Sequence, residues 1–214
     1  MSVTLKLATS LDSRIATAAG ESRWITGEAA RAEVHRLRAA HDAVVIGIET
    51  ALADDPELTV RLAGYAGRQP ARVVLDTRQR LTPTSRLVTS ARDVPTWVIS
   101  AREPDRHLLD AGVRVLTIAG AGHPPLEQVV TALAEHGLSD LFVEGGGQVA
   151  GSFLRAGLVD AIEWFRAPIL LGEEGRPAIG NLAVAALASA PHFRRVEVTA
   201  LGDDFWERYA RLGA

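Results

Sequence analysis

The stretch Leu141-Phe142-Val143-Glu144-Gly145-Gly146-Gly147-Gln148-Val149-Ala150-Gly151 runs from a short apolar segment through three glycines into a helical pattern. It reads as strand, turn, helix, the repeating unit of an α/β fold. Glycines let a backbone approach a ligand closely, and a helix start offers N–H groups and a positive dipole end. A pyrophosphate fits such a turn, and so does a tight strand-to-helix junction with no ligand. Gly145, Gly147 and Ala150 satisfy the G-x-G-x-x-[GA] spacing, but the position is wrong for a Rossmann fold. Only about a quarter of the chain follows, and no acid closes a second parallel strand about 20 residues on.

Working outward, Val3 to Thr9 predicts a buried strand, and Thr26 an N-cap, with Glu28 in the first turn of a helix running to about Ala40. Ala43-Val44-Val45-Ile46-Gly47, Arg72-Val73-Val74-Leu75-Asp76, Thr96-Trp97-Val98-Ile99-Ser100 and Val113 to Ile118 are short continuous apolar runs, the pattern of strands covered on both faces. Leu126 to His136 predicts a helix. The pattern then changes: Ala161 to Ala167, Arg194 to Thr199 and Phe205 to Arg211 predict antiparallel strands, the last two joined around Gly202. The chain is thus expected to be one α/β domain over 1–214, a mostly parallel sheet with antiparallel C-terminal strands and helices on both faces.

The 214 residues carry a net charge of −3 and are 47% hydrophobic. That supports a sizeable core and gives no general attraction to nucleic acid or anionic membrane. There is no cysteine, which excludes disulfides, thiolate nucleophiles and cysteine-based zinc sites. The six histidines are scattered, so no metal is expected. No apolar run reaches the roughly 18 residues of a membrane helix, and the N-terminus lacks a secretory pattern, so a cytoplasmic protein is expected.

Lys6 is the only lysine in an arginine-rich chain. It lies inside an apolar strand, where a compact ammonium differs from a guanidinium fork. One reading makes it a site donor; the other lets its amine snorkel to water. Glu144 ends its strand at the glycine turn, where a carboxylate meets ligand N–H groups or caps nearby backbone. Trp24 precedes a helix and is either a cofactor platform or a staple into the core. Arg31, Val34, His35 and Arg38 share a helix face. Arg38 and Arg61, from separate elements, suit a phosphomonoester. Thr77, Arg78 and Arg80, with Ser100 and Arg102, suit an adenosine 2′-phosphate.

Together these segments resemble the reductase half of the bifunctional deaminase–reductase of riboflavin synthesis, whose fold is like dihydrofolate reductase. The matching stretches are Leu5-Lys6-Leu7-Ala8-Thr9-Ser10-Leu11-Asp12, Gly20 to Thr26, Leu37-Arg38, Thr50-Ala51-Leu52-Ala53-Asp54-Asp55-Pro56-Glu57-Leu58-Thr59-Val60-Arg61, Val74 to Thr77, Val143 to Gly146 and Ala167 to Gly172. The resemblance covers essentially the whole chain and implies a three-layer α/β fold. It implies NADPH contacts at Ala8, Trp24, Thr50, Asp54, Thr77, Gly146, Gly147, Gln148, Val149, Ala150, Gly151 and Ser152. It places substrate at Ser22, Arg38, Leu58, Arg61 and Glu144, with Lys6 beside the reacting sugar carbon. Lys6 and Glu144 are the expected catalytic pair. Asp12-Ser13 stands where the family has Asp-Gly, and the family's zinc deaminase half is absent.

The implied reaction is reduction of the ribosyl group of 5-amino-6-(5-phosphoribosylamino)uracil to the ribitylamino product. A homodimer is implied too, with a deaminase domain or partner supplying the substrate. The undeaminated diamino pyrimidine, or a pterin or folate, are alternative substrates on the same fold. A non-catalytic nucleotide-binding module is the alternative from another class.

Overall fold

The structure, a computed structural model, describes residues 1–120 and 122–212. The expected span 1–214 includes three residues outside that range. In chain order the elements are β1 (Ser2–Thr9), β2 (Arg14–Ala16), α1 (Glu28–Ala40), β3 (Ala43–Gly47), α2 (Ile48–Asp54), β4 (Ala71–Leu75), α3 (Arg86–Thr89), β5 (Thr96–Ser100), α4 (Arg106–Asp110), β6 (Arg114–Thr117), α5 (Leu126–Glu135), β7 (Asp140–Val143), α6 (Gly147–Arg155), β8 (Ala161–Arg166), β9 (Arg176–Pro177), β10 (Phe193–Leu201) and β11 (Asp204–Arg211). The chain forms two compact units: Met1 with His35–Gly145, and Ser2–Val34 with the chain from Gly146 on.

In the first unit the strands lie in the order β7-β3-β4-β5-β6, all parallel. Every residue of β3 and β5 is buried, which explains their unbroken apolar runs. From β3 the chain steps outward through β4, β5 and β6, then returns to place β7 on the other side of β3. Such a reversal opens a crevice at the carboxyl ends of the two strands. Residues Ile48–Asp54 follow one of those ends and Glu144 the other.

Arg72 interrupts the apolar pattern of β4, yet it is wholly buried. Its guanidinium donates to Ser90 Oγ (2.8 Å), Thr96 Oγ1 (2.6 Å) and the Val94 carbonyl (2.8 Å). Burial pulls its pKa down to about 10. The side chain ties the turn after α3 to the sheet.

In the second unit the order is β10-β11-β8-β1. β1 and β8 are parallel, whereas β8, β11 and β10 are antiparallel. Gly202 turns the β10–β11 hairpin with φ of +68°. The expected parallel strands with an antiparallel C-terminal set are therefore present. Val3, Leu5 and Leu7 point to one face of β1 and are buried. Short β2 and β9 pair antiparallel apart from the rest.

The helix cap differs from expectation. Arg31 N–H donates to the Gly27 carbonyl, so Gly27, not Thr26, occupies the cap position. With no side chain to cap itself, Gly27 gives its N–H to the buried Asp204 carboxylate at 2.7 Å. Among the described residues, no helix is long and apolar enough to cross a membrane.

Candidate functional site

In the first unit the strand-end carboxylate and the helix arginine meet. Arg38 Nε lies 2.6 Å from Glu144 Oε1 and Nη2 lies 3.0 Å from Oε2, a two-pronged pair. Nη1 donates to the Thr59 carbonyl at 3.1 Å. Both side chains are largely buried, at 12% and 8% exposed. Burial alone would lower the Arg38 pKa, but the adjacent Glu144 charge and hydrogen bonds raise it above its ordinary value. Each Arg38 nitrogen thus has a protein acceptor.

Arg61 sits nearby in a different state. Its side chain is half exposed and lies 2.9 Å from the Glu57 carboxylate. Its backbone N–H donates to His35 Nδ1 at 3.2 Å. Burial and the charges of Arg38 and Arg61 hold the His35 pKa below its usual value. Sequence reasoning placed His35 on the Arg38 face without a role. Its link to residue 61 depends on a loop path that the sequence does not reveal.

Leu58 is buried and has φ of +56°, a conformation unusual for a leucine. Asp55, with φ of +38°, accepts the Arg86 backbone N–H at its Oδ1, 2.8 Å away. The segment Asp55–Arg61 is therefore shaped by local constraints and is not an open loop. Thr50 and Asp54 lie on α2 directly after β3. Thr77 follows β4 and its Oγ1 is 2.9 Å from His123 Nδ1.

The group suggested for an adenosine phosphate divides. Ser100 is fully buried, meets Gln79 Nε2 at 3.0 Å and accepts the Arg102 N–H at 3.0 Å, so it serves the fold. Arg80 is ion-paired with Glu49. Arg78 remains exposed.

The second unit holds Lys6, Ala8, Ser22, Trp24 and Gly146 to Ser152. Lys6 and Ala8 share one face of β1 and are partly exposed, in contrast to Leu5 and Leu7. Trp24 is 67% exposed, so it does not staple into the core. The Arg31 guanidinium lies over one face of its ring, 4.5 Å from the ring centre. A cavity of about 420 Å³ includes Trp24, Gly27, Arg31 and Asp204 in its wall.

Helix α6 starts at the glycine turn. Gly146 is its N-cap and supplies no side-chain hydrogen bond. Gly147 is required by packing: a Cβ there would lie 2.5 Å from the Pro177 carbonyl oxygen. Its own carbonyl accepts the Gly180 N–H at 2.7 Å. A Cβ on Gly151 would lie 3.1 Å from Gly180. The glycine spacing is thus explained in part by a chain segment, residues 177–180, laid against the helix start. Among the described residues, no cluster of three or more His, Asp or Glu is placed to hold a metal ion.

The chain is similar to known proteins along most of its length. The chain is 38% identical over 208 residues to the riboflavin biosynthesis protein RibD of Bacillus amyloliquefaciens, covering 94% of this chain and 55% of that protein. It is 36% identical to RibD of Escherichia coli K12, covering 94% of this chain and 58% of that protein. The chain therefore spans a little more than half the length of these relatives. Acinetobacter baumannii RibD superposes with a TM-score of 0.87 at 34% identity, over 99% of this chain and 58% of that one. The Thermotoga maritima structure described as a diaminohydroxyphosphoribosylaminopyrimidine deaminase/5-amino-6-(5-phosphoribosylamino)uracil reductase superposes with a TM-score of 0.82 at 28% identity, over 99% and 56% of the two chains. The family model described as the RibD C-terminal domain matches residues 1–206, and the chain belongs to that family.

Proposed function

We propose that this chain reduces the ribosyl group of 5-amino-6-(5-phosphoribosylamino)uracil to a ribitylamino group, with NADPH as the cofactor. The observation that supports this most is the match to the RibD C-terminal domain over residues 1–206. The Thermotoga relative's description names a deaminase and a reductase. The residues here suit the reductase: the chain has no cysteine for the zinc chemistry of the deaminase half.

The residues fit a nicotinamide dinucleotide. The α6 start carries no side-chain cap at Gly146, which favours an anionic group there. Trp24 offers an exposed aromatic face. Ala8, Thr50, Asp54, Thr77 and Gly146 to Ser152 complete the assigned contacts. When bound, NADPH supplies the hydride. Lys6 polarises the oxygen or nitrogen at the sugar carbon that gains electrons. Glu144, oriented by Arg38, accepts from pyrimidine N–H groups. Arg61, which is exposed, takes the substrate phosphate, and Ser22 and Leu58 line the substrate.

A homodimer is part of the proposal. Edge strand β10 exposes Val196 and Val198, and Leu187 just before it is 90% exposed. Side chains of that kind mark an association surface. A deaminase domain or partner would deliver the substrate, as the relatives' extra length suggests.

The test is absorbance decay at the NADPH band with the phosphoribosylamino pyrimidine in deaminated and diamino forms. Oxidation with the deaminated form is the expected result. Oxidation with the diamino form alone would reassign the substrate, and none with either would end the proposal. Lys6→Met should cut turnover while leaving NADPH binding intact, and full turnover would remove the role given to Lys6.

A further inference from the structure

A row of charged side chains crosses the second unit. Lys6 on β1 is in register with Glu163 on β8, Glu163 with Arg208 on β11, and Arg208 with Glu197 on β10. Residues in register on adjacent strands point to the same face, about 5 Å apart. The charges alternate in sign from Lys6 to the sheet edge.

Glu163 is the buried member, with its side chain 7% exposed. Its two oxygens are held by different donors. Trp206 Nε1 donates to Oε2 at 2.7 Å, and Arg208 Nε to Oε1 at 3.4 Å. The Trp206 ring lies parallel to Phe165 with centroids 5.9 Å apart, so packing fixes the indole donor. Arg208 is shared with Glu197, 3.2 Å from its Nη1. A carboxylate in mid-sheet is costly to desolvate unless cations and donors surround it. Its partners on β11 leave one neighbour in the row, the ammonium-bearing Lys6.

We propose that Glu163 is a positioning residue that fixes the Lys6 ammonium on the β1 face for the reduction. The inference rests on the role given to Lys6 above. A lysine stem has four rotatable carbons, and an unanchored ammonium samples many positions. A carboxylate that is itself clamped by Trp206 and Arg208 narrows that range, and catalysis is sensitive to such placement.

Lys6 is the only lysine, so the full chain grown with ¹⁵N-lysine gives one Nζ signal. Glu163→Gln should shift that signal and speed exchange of its protons, without substrate present. It should lower kcat by about tenfold to a hundredfold, with the KM for NADPH held within about twofold. Glu163→Asp should restore part of both effects. An unmoved Nζ signal overturns the proposal, and so does a moved signal with unchanged kcat. Full turnover by Lys6→Met would instead sink the Lys6 assignment, and the Nζ signal of the parent chain tells the two failures apart. If Glu163→Gln does not fold, Trp206→Phe keeps the stacked ring and removes one clamp. It should move the Nζ signal less but in the same direction, and no movement would overturn the proposal.

Discussion

Arg38 and Glu144, 106 positions apart in sequence, form a buried two-pronged ion pair with Nε–Oε1 of 2.6 Å and Nη2–Oε2 of 3.0 Å. The pair joins the last turn of α1 to the end of β7. It turns the Glu144 carboxylate into an oriented acceptor.

Breaking one side of that pair leaves a buried charge uncompensated. Glu144→Ala should lower stability by about 3 kcal/mol, and Arg38→Ala by a similar amount. The double variant should cost clearly less than the sum, because the penalty of the orphaned partner disappears. Chemical denaturation of the four chains measures this, and additive losses would contradict a coupled pair. Arg38→Lys should not rescue, since an ammonium cannot grip both oxygens in that geometry.

Arg61 is proposed to meet the substrate phosphate, and its side chain is half exposed. Arg61→Ala should raise the KM for the phosphorylated pyrimidine by about tenfold or more, the value of a charge-assisted bond. The KM for NADPH should change by less than about twofold. Equal losses for the two ligands would remove the phosphate assignment.

Asp12 sets an acid limit. Its carboxylate accepts from the Ser10 hydroxyl at 2.5 Å and from the Gly172 N–H at 2.8 Å, and its pKa is lowered from 3.8 to about 2. The folded state thus favours the ionised form. The associated stability is fully present above the ordinary value and is lost as pH falls through about 2. The Tm difference between the parent chain and Asp12→Asn should therefore shrink as pH drops from 4 towards 2. A difference independent of pH in that window would show that the carboxylate's charge is not what matters.

Gly147→Ala should destabilise by about 1–3 kcal/mol, the usual cost of forced overpacking, because its Cβ would meet the Pro177 carbonyl. Hydrogen exchange at Gly180, which donates to the Gly147 carbonyl, should rise with it. Unchanged protection there would mean that the contact yields without loss.

Arg72→Lys keeps a cation in the core but abandons most of the acceptors around Ser90, Val94 and Thr96. A loss of about 3 kcal/mol is expected. Thermal unfolding checks this, and a shift within error would show that the turn after α3 does not depend on the fork.

Much of the architecture was legible because its signals are strong. Parallel strands covered on both faces leave largely apolar runs, so β3 and β5 could be read directly, and β4 despite Arg72. Gly202 between two alternating segments gave the final hairpin. The elements that escaped are short. α2, α3 and α4 have 7, 4 and 5 residues, too few for helical periodicity to show. Arg72 was unreadable as a core residue because its acceptors come from a turn about 20 positions away.

For the candidate site the sequence proposes members but says little of their geometry. Glu144 at a strand end and Arg38 on a helix face were identifiable, yet nothing in their spacing shows that they grip each other. Ser100 looked like a phosphate donor after a strand, but its burial and bonds to Gln79 and Arg102 assign it to the fold. Trp24 had two readings, and its exposure rejects the core one. His35 could not be tied to Arg61 without the path of the Asp55–Arg61 segment.

The close seating of residues 177–180 on the α6 start has a practical meaning for protein engineering. The glycine turn is shaped by its own chain. Transplanting Gly145-Gly146-Gly147 alone into another strand–helix junction would leave Gly147 without the backbone that demands it. A functional graft must carry the distant strap as well, or the transplanted loop will relax into an ordinary flexible bend.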